Sequence, residues 1–249
     1  MTRLLASAFA ILSAGSLAHA GETVSYKAGD LPLEGYFAPA EGGKSKGAVL
    51  VIHDWDGVDS YEEKRADMLA ALGYDAFALD LYGAGNRPAT MDAKVAATKA
   101  LYQDREAMRT RLVAGLKELH SKSDAASTVV MGYCFGGAAA LELARSGLGD
   151  KVVGYVAFHG GLTTPEGQSY PSDTPPILIE HGGADTSVTM ADVTSLSEQL
   201  EKAGITYQID VYSGAPHAFT VFGSDRYRQV ADEKSWKRLE EFLSERFES

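Results

Sequence analysis

Cys134 is the only cysteine in this chain of 249 residues, and its neighbours suit it for chemistry. Residues 127–142 read STVVMGYCFGGAAALE. A β-branched run ends at Gly132, the thiol follows two residues later, and Gly136-Gly137 opens an Ala-rich stretch with helical character. A nucleophile on a sharp strand-to-helix turn needs small residues two positions to either side, because Cβ atoms there would clash. The turn also puts the sulfur at a helix N-terminus, where free N–H groups and the helix dipole favour an anion. A buried, inert cysteine is the bland alternative, and the strand–turn–helix context argues against it.

A thiol nucleophile needs a base, and the base needs an orienting acid. Three histidines follow Cys134. His159 (FHGG) and His181 (EHGG) each close a predicted strand and read as hydrogen-bonded histidines near the rim of the core. His217, in YSGAPHAF, occupies a loop of small residues between the last predicted strand and the last helix, and is the expected base. For the acid, Asp185 in HGGADTSV lies in the loop after the penultimate strand. Its competitors are worse placed: Asp173 precedes a strand, Asp192 falls in a helix and Asp210 in a strand. The order nucleophile, acid, base along the chain is that of α/β-hydrolases. The oxyanion donors expected with it are the backbone N–H of Phe135 and that of Trp55 in the loop HDWDGVDSY. Tyr133 and His159 stand as candidate substrate contacts beside the nucleophile.

The elements needed to hold these residues are legible. A hairpin is predicted around 23–28 and 33–38. Strands are expected at 48–53 (AVLVIH), 75–81, 127–132, 152–158, 177–181 and 206–212. The near-continuous apolar run at 48–53 marks a parallel strand buried on both faces. Between them fall helices at 61–72, at 91–121 in two pieces, at 136–146, at 190–203 and near 228–247. Strands alternating with helices imply right-handed βαβ units, hence an α/β fold with a mostly parallel sheet covered on both faces.

Composition is that of an ordinary globular chain, 45% hydrophobic and 23% charged, and its length suits a single domain. The net charge of −11 and a pI near 5.0 argue against nucleic-acid and anionic-membrane partners. Residues 1–20 have the form of a secretory signal: Arg3, an apolar stretch over 4–18, and the small-x-small site Ala18-His19-Ala20. The expected arrangement is therefore a removed signal over 1–20, a catalytic domain over 21–249, and a periplasmic or secreted protein with no membrane span after processing. A single thiol permits no intramolecular disulfide. A monomer or a homodimer is compatible with the pattern.

The segments VLVIHDWDGV, GYDAFALDLYG, VVMGYCFGGAAAL, HGGAD and APHAF together resemble the dienelactone hydrolase family across the mature chain. The resemblance implies an α/β-hydrolase fold, a Cys-His-Asp triad, no metal or other cofactor, and enol-lactones or other activated esters as substrates. It implies further that the carboxylate beside the second oxyanion residue, here Asp54 in place of the family's Glu, modulates the resting thiol. The family's lactone hydrolases carry an arginine shortly after the base. This chain has Ala218-Phe219-Thr220-Val221 there and no arginine until Arg226, which leaves Arg87 (LYGAGNRP) as the candidate carboxylate binder. That departure points to a less charged, more apolar ester. A broad-range aryl-ester or phosphotriester hydrolase, and a non-catalytic ligand-binding or thiol-sensing module, are the competing readings.

Overall fold

The computed structural model describes residues 21–248; the proposed signal over 1–20 lies outside them. Eight strands form one sheet in the order β1-β2-β4-β3-β5-β6-β7-β8. The expected hairpin is β1 (Glu22–Ala28) against β2 (Leu31–Ala38), and β2 also pairs antiparallel with β4 (Asp75–Leu79). All other pairings are parallel, through β3 (Ala48–Ile52), β5 (Thr128–Tyr133), β6 (Val152–Phe158), β7 (Ile177–Gly182) and β8 (Tyr207–Tyr212). The chain thus folds as a mostly parallel α/β-hydrolase sheet.

Each parallel strand from β3 to β5 is buried along its length, as its unbroken apolar sequence requires. Helices α1 (Ser60–Ala71) and α6 (Gln229–Phe247) cover one face. There Leu69, Leu239 and Phe242 pack with Val51, Met131 and Val156. On the other face lie α2 (Met91–Gln103), α3 (Arg105–Lys122), α4 (Phe135–Ser146) and α5 (Met190–Ala203). The predicted helical segment 91–121 does split in two: Asp104 ends α2 and caps α3, its carboxylate accepting the Ala107 N–H at 2.9 Å.

The topology says where a site must be. From β3 the chain moves outward to β4, then returns to add β5 on the opposite side of β3. At such a reversal the loops leaving the two central strands diverge and open a crevice at their C-terminal ends. Trp55 follows β3 and Cys134 follows β5, so both stand at that crevice.

Candidate active site

The elbow is built by close backbone contact. A Cβ on Gly132 would lie 2.2 Å from the Gly136 carbonyl, and one on Gly136 would lie 2.2 Å from the Ile52 oxygen. Only glycine lets the first turn of α4 rest on the end of β3. Cys134 itself takes φ 51°, ψ −112°, a strained conformation for a residue with a side chain. Its N–H donates to the Phe158 carbonyl at 3.0 Å, tying the turn to β6. Phe135 is the first residue of α4, so its N–H is among those that a helix leaves without an internal acceptor.

The loops after β7 and β8 bring the other two residues to the sulfur. His217 Nε2 lies 3.1 Å from Cys134 Sγ, and His217 Nδ1 lies 2.7 Å from Asp185 Oδ2. The second Asp185 oxygen accepts the backbone N–H groups of Ser187 and Val188 at 2.8 and 2.9 Å, which fixes the carboxylate against rotation. The Ala184 N–H donates to the Ala215 carbonyl, and a Cβ on Gly182 would meet that same oxygen at 2.5 Å. The acid loop and the base loop are therefore seated directly on each other.

The electrostatics follow from these contacts. Burial pushes the His217 imidazole down, but hydrogen bonds to Asp185 and Cys134 and their negative charge outweigh it and raise the group to about 10. Burial pushes Asp185 up, and the His217 contact with two backbone donors brings it below the ordinary carboxylate value. At neutral pH the histidine holds a proton next to the sulfur and could deliver it to a departing group.

Trp55 is fixed by its neighbours. Tyr82 donates its hydroxyl hydrogen to the Trp55 carbonyl at 3.3 Å, and its ring stacks on Phe135 with centroids 5.9 Å apart. His53, fully buried and pushed down to about 4 by that burial, accepts the Leu81 N–H through Nε2 and donates through Nδ1 to the Asp54 carbonyl at 2.5 Å. These contacts hold the β3 loop beside the first turn of α4, so Phe135 and Trp55 both stand at the C-terminal ends of the two central strands.

Four expectations need correction. Asp54 makes no hydrogen bond to the thiol among the described residues. Its Oδ1 accepts the Asp56 N–H at 2.8 Å, and Glu62 accepts its backbone N–H at 3.2 Å, so it is pinned within its own loop. Burial, with the charges of Asp56 and Asp59, raises its carboxyl to about 7. Arg87 is not a free cation: it donates to the carbonyls of Val58 and Glu34 and lies 3.7 Å from the buried Asp80. Tyr133 is fully buried against Tyr61 and Phe158, beneath the elbow and out of reach of a substrate. His159 is also fully buried, behind the base, with ring centroids 5.3 Å from His217.

His159 is the hydrogen-bonded histidine at the rim of the core that its place after a strand suggests, and it belongs to a network whose other members sequence reading missed. Its Nε2 lies 2.8 Å from Thr220 Oγ1, and the same hydroxyl is 2.7 Å from the Tyr61 hydroxyl. Arg65 donates to the Thr220 carbonyl at 2.9 Å and pairs with Asp232 at 2.5 Å. Thr220 stands three residues beyond His217, so α1, α6 and the end of β6 all grip the base loop. The one signal in the sequence is spacing: Tyr61, Arg65 and Leu69 recur every four residues on the face that α1 buries.

Among the described residues no group of three or more His, Cys, Asp or Glu side chains is arranged to hold a metal ion, and no helix is long and apolar enough to cross a membrane. A family model for the dienelactone hydrolase family matches residues 33–247. The chain is 28% identical to a putative carboxymethylenebutenolidase of Methylorubrum extorquens, over 82% of this chain and 74% of that protein. A probable 2-oxo-3-(5-oxofuran-2-ylidene)propanoate lactonase of Bradyrhizobium is 26% identical over 76% of this chain and 79% of its own. Among solved structures, a dienelactone hydrolase-like promiscuous phosphotriesterase from metagenomic libraries superposes with a TM-score of 0.83. It is 27% identical, covering 91% of this chain and 98% of that one.

Proposed function

The chain belongs to the dienelactone hydrolase family, an ester- and lactone-hydrolysing family, and from that premise we propose that it cleaves activated esters or lactones through an acyl-enzyme on Cys134. The observation that carries this reading is the continuous line Cys134–His217–Asp185, at 3.1 and 2.7 Å. In the proposed cycle the sulfur attacks the carbonyl carbon, and the oxyanion is received by the Phe135 and Trp55 N–H groups. The C–O bond then breaks and His217 gives its proton to the leaving oxygen. Water, losing a proton to His217, cleaves the thioester and releases the sulfur beside the reprotonated histidine, the state from which the cycle began. A thiolate is itself a good leaving group, so the forward path demands enolate or phenolate leaving groups.

Cys134→Ala tests this directly. Alanine adds no bulk at the elbow, so the fold should persist while hydrolysis of p-nitrophenyl butyrate falls by at least ~10³-fold. Near-full activity in a folded variant would exclude Cys134 as the nucleophile.

A second reading has its own support. The phosphotriesterase neighbour shares 27% identity over nearly all of both chains. Attack of the same sulfur on an aryl phosphotriester is the related reaction, and paraoxon turnover abolished by Cys134→Ala would establish it. We propose also that residues 1–20 direct export, on the strength of their charged, apolar and small-residue segments. Fractionation of expressing cells tests this: a shortened protein outside the cytoplasm supports it, and a full-length cytoplasmic protein refutes it.

A further inference from the structure

Beside the elbow lies a cavity of about 270 Å³ walled by Tyr102, Arg105, Ala138, Arg145, Gly161 and Thr163, among others. It is close to the nucleophile in covalent terms. The Ala138 N–H donates to the Cys134 carbonyl at 3.3 Å, so the cavity starts one helical turn, ~6 Å, along α4. Tyr102 spans the gap: its ring meets that of Phe135 edge-on at 5.3 Å, and the Arg105 guanidinium lies 5.4 Å from it.

The charge there is unusual for this protein. Arg105, Arg109 and Arg145 converge on one buried carboxylate, Glu142, at 2.8, 2.5 and 3.1 Å. Three guanidiniums against one carboxylate leave two positive charges uncompensated within the cluster, in a chain whose net charge is −11. Burial pushes Glu142 up, but the hydrogen bonds and charges of the arginines overcome it and hold the group below its ordinary value, so it stays ionised. Arg145 is held rigidly, with its side chain only 3% exposed and bonded to Gln168, Tyr170 and Glu142. Arg105 gives Nη1 to Glu142 and remains 24% exposed at the cavity. A partly solvated arginine with N–H groups to spare, backed by a fixed buried one, suits a small oxyanion, because guanidiniums bind carboxylates with directed N–H groups.

We propose that this cavity is a subsite for an anionic group, a carboxylate several bonds from the scissile carbonyl, with Arg105 as its specificity-determining residue and Arg145, whose three nitrogens are already engaged, contributing only its charge. The inference rests on the hydrolase reading above. It replaces the apolar substrate expected from the absence of an arginine after His217: the positive charge is supplied instead from the α2–α3 corner and from α4.

The test compares matched esters. Mono-p-nitrophenyl adipate against p-nitrophenyl hexanoate places the anion on the acyl side, and 3-butyryloxy-4-nitrobenzoate against 2-nitrophenyl butyrate places it on the leaving side. The readout is the ratio of kcat/KM, anionic over neutral, for wild type, Arg105→Gln and Arg105→Lys. In at least one pair the ratio should fall about tenfold in Arg105→Gln, mainly through KM, and be partly restored in Arg105→Lys. It should also fall with added salt. Ratios unchanged in both pairs would overturn the subsite, and so would a ratio lost equally in the lysine variant. Wild-type turnover of the neutral esters tests the hydrolase reading separately.

Discussion

At the scale of single residues, protonation states decide what the site can do. The folded value of His217 is raised above that of a free histidine, so its ion pair with Asp185 contributes stability that is fully present below about pH 6.5. That contribution is lost as pH rises through about 10. Wild type should therefore lose on the order of 1–3 kcal/mol more than His217→Gln between pH 6.5 and 10, allowing for solvent at the site. Urea unfolding at the two pH values measures this, and parallel losses would contradict the ion pair. Asp54 poses a second question. Bonded within its own loop rather than to the sulfur, and titrating near 7, it can act on Cys134 only through its charge. Alkylation by iodoacetamide should run at the same rate in wild type and Asp54→Asn at pH 5.5, where the wild-type carboxyl is protonated. At pH 8 the variant should be severalfold faster, because a nearby negative charge opposes thiolate formation. A gap equal at both pH values, or none at pH 8, would remove Asp54 from any control of the thiol.

At the scale of elements, the base loop depends on helices distant in sequence. Arg65 and Asp232 form a buried ion pair between α1 and α6, and Thr220 is held from three directions. Asp232→Asn leaves the Arg65 charge buried without a counter-charge and should cost about 3–5 kcal/mol. Thr220→Val keeps the shape of the side chain but removes the hydroxyl shared by Tyr61 and His159. It should cost only about 1–3 kcal/mol, while lowering kcat through a less well held His217. A Thr220→Val enzyme with unchanged kcat would show that the loop is positioned without this network. Beyond the spacing on α1, the network was not visible in advance, because Thr220 is 155 positions from Arg65 and 61 from His159, and one acceptor is a backbone carbonyl. Arg87 was misjudged for the same reason. An arginine near a site reads as a ligand for substrate until its carbonyl partners are known.

At the scale of the whole molecule, the central strands were legible because parallel strands buried on both faces have no polar face and so appear as unbroken apolar runs. The partly exposed edge strand β8 was legible only from its place in the alternation of strands and helices. Cys134, Asp185 and His217 were legible because the fold fixes which loop carries each, and because Gly132 and Gly136 mark a turn that other residues cannot make. Tyr133 and His159 failed as substrate contacts because strand-end residues alternate between crevice and core, and the sequence does not say which way each side chain turns; His159 is instead the hydrogen-bonded histidine that its place after a strand suggests. The overall acidity gave no sign of the three arginines that gather around Glu142. The central claim is that this molecule carries its substrate's acyl group on one sulfur atom. Rapid acid quench of the enzyme with p-nitrophenyl butyrate, followed by intact-mass and peptide analysis, measures it. The account predicts a butyryl adduct on the peptide containing Cys134, stoichiometric with the initial burst of nitrophenolate and absent from Cys134→Ala. Steady turnover with no adduct, or an adduct on any other residue, would contradict it.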